Sequence, residues 1–100
     1  MRTVTQADVM AAARRLWGLP RRDWGTVMVK ALGEAHAADL YRKRLGRLHP
    51  AWGNGSLAAA LAIAGPLPPE RFLSDALFLE ATAEAIHQII EWRGRQSVKV

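Results

Sequence analysis

Glycine and proline cut this chain into pieces, and each piece between the cuts has the period of a helix. The breaks are Gly18-Leu19-Pro20, the stretch from Gly46 to Gly55 with Pro50 inside it, and Gly65-Pro66-Leu67-Pro68-Pro69. A helix stops at such residues because Gly adopts the left-handed conformation that ends it and Pro cannot extend its hydrogen-bond ladder. No stretch alternates apolar and polar residues for long enough to read as a strand, and no repeat recurs at solenoid periods. The pattern predicts an all-α fold, a compact bundle of about four helices at approximately 5–17, 21–45, 56–64 and 75–92. It is expected to be a single helical domain over 1–100, with 93–100 as a flexible tail.

The first helix opens on a capping-box-like Thr5-Gln6-Ala7-Asp8, with Asp where Glu or Gln is usual. Val9, Met10, Ala13, Leu16 and Trp17 share its apolar face. The second places Trp24, Val27, Met28, Ala31, Ala35, Ala38 and Leu45 on one stripe, and its small alanines invite close approach of another helix. Gly46 is expected to end it, with a kink near Gly33 as an option. Ser56 or Asn54 can cap the third, whose wholly apolar SLAAALAIA predicts the central buried element. One helical turn near Pro69–Phe72 is expected to dock Phe72 and Leu73. Ser74 is expected to cap the last helix, where Glu80, Glu84, His87, Gln88 and Glu91 fall in a sector about 100° wide. Leu77, Phe78, Leu79, Ala83, Ile86, Ile89, Ile90 and Trp92 fill the rest, which is more apolar surface than one neighbour covers. That predicts burial by two neighbours or a dimer seam.

Between the second and third helices lies YRKRLGRLHPAWGNGS, Tyr41–Ser56, the densest basic stretch of the chain. Arg42 stands five turns past Trp24, in the middle of the apolar stripe, so it needs a partner or an exit to water. Asp39, three residues back, is the local partner; alternatively the core ends there and Arg42 reaches solvent along its stem. Trp52 is expected to pack the loop back onto the helices. The net charge of +5 is polarised, since the first fifty residues carry ten Lys and Arg against four Asp and Glu. Such a face either contacts an acidic partner or is only a solvated surface. The candidate contact residues for nucleic acid or an acidic partner are Arg21, Arg22, Arg42, Lys43, Arg44, Arg47 and Trp52. The arginines would neutralise phosphates, and Tyr41 and Trp52 would stack on bases. The third helix, however, has no side chain able to read a base edge, which argues against helix-turn-helix recognition.

With no cysteine in the chain, disulfides, zinc–thiolate sites and thiol catalysis are excluded, which fits a reducing, cytoplasmic setting. The N-terminus lacks the apolar core of a signal peptide, and the longest apolar run, Leu57–Ala64, falls far short of the roughly 20 residues of a membrane span. No nucleophile, base and oxyanion donor are arranged for catalysis, and GNGS lacks the lysine and preceding strand of a phosphate loop. His36, Asp39 and His49 match no strong metal motif. No enzyme activity, catalytic residue, cofactor, metal or small-molecule substrate is expected.

The segment ADLYRKRLGRLHPAWGNGSLAAA resembles a family of small uncharacterised bacterial proteins with an RxGRxHPxWGNGS core, associated with phage-derived and gene-transfer-agent regions. The resemblance covers about a quarter of the chain and brings no activity with it. It implies a helical accessory or packaging-type protein, such as a small-terminase-like factor. Two functions are therefore expected. The first is a non-catalytic helical interaction module, self-associating or bound to a helical protein partner; an antiparallel helix-pair dimer fits it. The alternative is a nucleic-acid-binding accessory protein using residues 42–47.

Overall fold

In the computed structural model, which describes residues 1–98, the chain is all-α, and its helices are α1 (Gln6–Trp17), α2 (Trp24–Leu45), α3 (Leu57–Leu61) and α4 (Ala76–Val98). Single 3₁₀ turns precede α2 at Arg21–Asp23 and follow α3 at Ala62–Ala64. Among the described residues there is no strand. The radius of gyration is 13.4 Å, the size of a compact chain of this length.

Each helix starts and stops where local chemistry directs it. Thr5 caps α1 in a full capping box: its hydroxyl accepts from Asp8 N–H, and the Asp8 carboxylate accepts from Thr5 N–H at 2.9 Å. Gly46 ends α2 in the left-handed conformation, φ 70°, and its N–H donates to the Arg42 carbonyl. Helix α2 runs unbroken through Gly33. Ser56 caps α3 by accepting from Ala59 N–H at 3.1 Å, and Asn54 Oδ1 in turn accepts from Ser56 N–H. At α4 the cap is Asp75, not Ser74, because the Asp75 carboxylate accepts the Phe78 N–H at 3.1 Å.

Helix α1 is the centre of the bundle, in the most extensive contact with α4 and also packed on α3 and α2. Its buried set is Asp8, Ala11, Ala12, Ala13 and Leu16. Val9, Met10 and Trp17 are only partly covered. Together with Ala31 and Ala35 of α2, Ala60 of α3, and Ala81 and Ala85 of α4, these residues make a core rich in alanine, with Leu16, Trp24, Met28, Leu32 and Leu57 filling it. Small side chains bring helix axes close, so packing contacts replace bulky apolar area. Leu32 belongs to this core although it lies off the expected stripe, whereas Leu45 is exposed.

Three expectations are corrected. Helix α3 is not the central element: Leu57, Ala60 and Leu61 are buried, but Ala62, Ile63 and Ala64 face water. Its short rod packs on α1 and α2. Pro69–Phe72 form no helical turn, and Phe72 is 86 % exposed. The linker is instead held extended by Arg14, whose Nε donates to the Pro68 carbonyl at 2.7 Å, while Arg15 donates to the carbonyls of Leu61 and Gly65. Leu67 is the linker residue that packs on the core, so Phe72 falls beyond the core's edge. Finally, α4 continues six residues past Trp92 to Val98. Arg95 lies over the Trp92 ring, and a cation in the last turn suits the helix dipole. Residues 99 and 100 of the expected tail lie outside the described residues.

Candidate functional site

The junction between α2 and α3 is built on two buried carboxylates. Asp39 is fully buried, and its Oδ1 accepts from the Arg42 guanidinium at 2.7 Å. Its Oδ2 takes no well-directed hydrogen bond but lies 3.0 Å from the Lys43 ammonium and 3.5 Å from the Met1 α-ammonium. Burial pushes the Asp39 carboxyl up; Arg42 and Lys43, with the Met1 ammonium, outweigh it and hold it at about 2, below the ordinary 3.8. The Met1 ammonium is pushed down by its own burial, against the pull of Asp39, and it also sits 2.7 Å from His36 Nδ1.

Asp8 is the second carboxylate, and sequence reasoning gave it only half its role. Beyond closing the capping box of α1, its Oδ1 accepts the Ala58 N–H in the first turn of α3 at 3.0 Å. One buried side chain therefore satisfies the starts of two helices, where unpaired N–H groups and the positive dipole end favour an anion. Asp8 and Asp39 line one open cleft of about 530 Å³ together with Arg2, Thr5, Arg42 and Ser56. All four carboxylate oxygens there are engaged by donors or cations of the protein itself.

The loop from His49 to Ser56 is seated on α2 by backbone contact. His49 and Gly53 exchange both backbone hydrogen bonds, at 3.0 and 3.2 Å, and His49 Nδ1 accepts the N–H groups of Ala51 and Trp52. His49 therefore carries its ring proton on Nε2. Its ring stacks on Trp52, centroids 4.5 Å apart, and meets Tyr41 edge-on at 4.9 Å. Trp52 is partly covered, not buried. Gly55 lies directly on Asp39: a Cβ there would stand 2.7 Å from Asp39 Cβ and 2.8 Å from its Cα. The spacing from Asp39 to Gly55 held no signal for this contact.

The seven candidate contact residues do not form one surface. Arg42 and Lys43 are drawn onto Asp39, while Arg44 and Arg47 are exposed. Arg21 and Arg22 sit before the other end of α2, and the eighteen residues from Trp24 to Arg42 rise about 27 Å. There Arg21 forms an ion pair with Glu80 of α4 and lies over the Trp24 ring. Among the described residues no three His, Asp or Glu are grouped to hold a metal ion; His36 faces Met1 and Trp92, and His49 faces Trp52 and Tyr41. No helix of the described residues is long and apolar enough to cross a membrane.

A second surface lies on α4. Its inner face buries Phe78, Ala81, Thr82, Ala85 and Ile89. On the other side Leu79 is 51 %, Ile86 44 % and Ile90 62 % exposed, with exposed Ala83 between them. These four recur at steps of four, three and four residues, the spacing of a coiled-coil seam. Glu80, His87 and Glu91 run along one flank of it.

Comparison with known proteins adds a family. A family model described as a domain of unknown function (DUF7742) matches residues 2–89. No curated protein and no solved structure matches the chain.

Proposed function

The chain belongs to the DUF7742 family, a domain of unknown function, and from that premise we propose that it is a non-catalytic helical interaction module that associates with copies of itself. The observation that carries this reading is the apolar outer face of α4, Leu79, Ala83, Ile86 and Ile90, left in water by a bundle whose core is already filled on the opposite face. Contiguous apolar helix surface at seam spacing is what a helix partner covers. The two buried carboxylates support a structural role for the junction, because their oxygens are committed to helix starts and to ion pairs within the chain. A cysteine-free cytoplasmic protein, of the accessory kind found in bacterial phage-derived regions, goes with this reading.

Light scattering across a concentration series tests it. The wild-type chain is expected to dimerise, and Leu79→Glu with Ile86→Glu to give a monomer with unchanged helix content by circular dichroism. A wild type that stays monomeric at every concentration overturns the proposal. A second reading, nucleic-acid binding by the junction, draws on exposed Arg44 and Arg47 beside the Tyr41–His49–Trp52 stack. The pairing of Arg42 and Lys43 with Asp39 and the distance to Arg21 and Arg22 weaken it. A mobility-shift titration at low salt with no complex removes it.

A further inference from the structure

Resting on the self-association reading, we infer that the two copies pair through α4 in antiparallel orientation, about a two-fold axis between Glu84 and Ala85. The seam itself is self-complementary in that register. Leu79 of one copy meets Ile90 of the other, and the small Ala83 meets the large Ile86, so each bulky side chain has a small or matching one opposite. The exposed seam from Leu79 to Ile90 covers about 16 Å of helix.

Charge selects the orientation. The ion pair between Arg21 and Glu80 fixes a basic corner, Arg21 and Arg22, beside the N-terminal end of the seam. Glu91 stands at the other end on the same flank, 3.8 Å from the His87 ring. Antiparallel pairing brings Glu91 of each copy to the Arg21 corner of the other, twice by symmetry. It also opposes the two helix dipoles. Parallel pairing about an axis along the seam would instead put the two Glu80–His87–Glu91 flanks on opposite sides of it, where Glu91 meets no basic corner.

The chain holds no cysteine, so single-cysteine variants at these exposed positions report cleanly. A mixture of Leu79→Cys and Ile90→Cys chains is oxidised and compared with each variant alone. The mixed disulfide is expected to dominate, because residues 79 of two antiparallel copies are about 16 Å apart, beyond disulfide reach. Efficient crosslinking of Leu79→Cys to itself overturns the orientation while leaving self-association intact. A dimer by light scattering that forms no disulfide in any combination overturns the α4 seam as the contact. A monomer throughout overturns both this inference and the reading it rests on.

Discussion

Replacing Gly55 with alanine tests how the central loop is held. The added methyl would stand 2.7 Å from Asp39 Cβ, 2.8 Å from its Cα and 3.0 Å from its backbone N. Two of these atoms are backbone of a helix, so the loop must move away. Gly55 also has φ 91°, where an L side chain costs roughly 1–2 kcal/mol. Gly46 is the internal control: it has φ 70° and open space around it. Gly46→Ala should therefore cost about 1 kcal/mol from backbone strain alone. Gly55→Ala carries the same strain plus overpacking of about 1–3 kcal/mol, about 2–4 kcal/mol in all. For a chain of this length 1 kcal/mol lowers Tm by about 4–8 °C, so thermal melts should separate the two variants widely. Urea titrations at constant m would give the same order. Equal losses would refute the claim that backbone contact between Gly55 and Asp39 seats the loop.

Two further predictions concern the junction. The Asp39 carboxyl lies at about 2 against an ordinary 3.8, so its contribution is complete above about pH 4 and is lost as pH falls through 2. The difference is worth roughly 2–3 kcal/mol. Urea unfolding between pH 5 and pH 2 should show that loss, and Asp39→Asn should be less stable at pH 5 and lack that part of the slope; identical pH profiles would refute the assignment. Trp52→Ala should cost about 2 kcal/mol, less than the 3–5 of a fully buried ring, because Trp52 is only partly covered and its stack on His49 adds about 1. A denaturation midpoint unchanged within error would mean that the ring does not hold the loop.

The sequence by itself determined where α1 begins and ends, where α2 ends and where α3 begins. Thr5, Gly18, Gly46, Ser56 and Gly65 act on backbone groups within four residues, and that range is visible in a one-dimensional pattern. It offered the Asp39–Arg42 pair, three residues apart on one helix, beside an exit of Arg42 to solvent, and the fold forms the pair. Burial of a whole face required the tertiary structure. The alanine faces of α1 and α4 are as compatible with water as with each other until the axes approach, so only packing decided that α1, not the apolar α3, lies at the centre. The same holds for Asp8, whose second acceptor oxygen serves a helix start fifty residues away. It holds too for the candidate contact residues, of which folding draws Arg42 and Lys43 onto Asp39 and Arg21 onto Glu80. Local signals set the rods; contacts between residues distant in the chain chose which side of each rod meets protein and which side of α4 faces water.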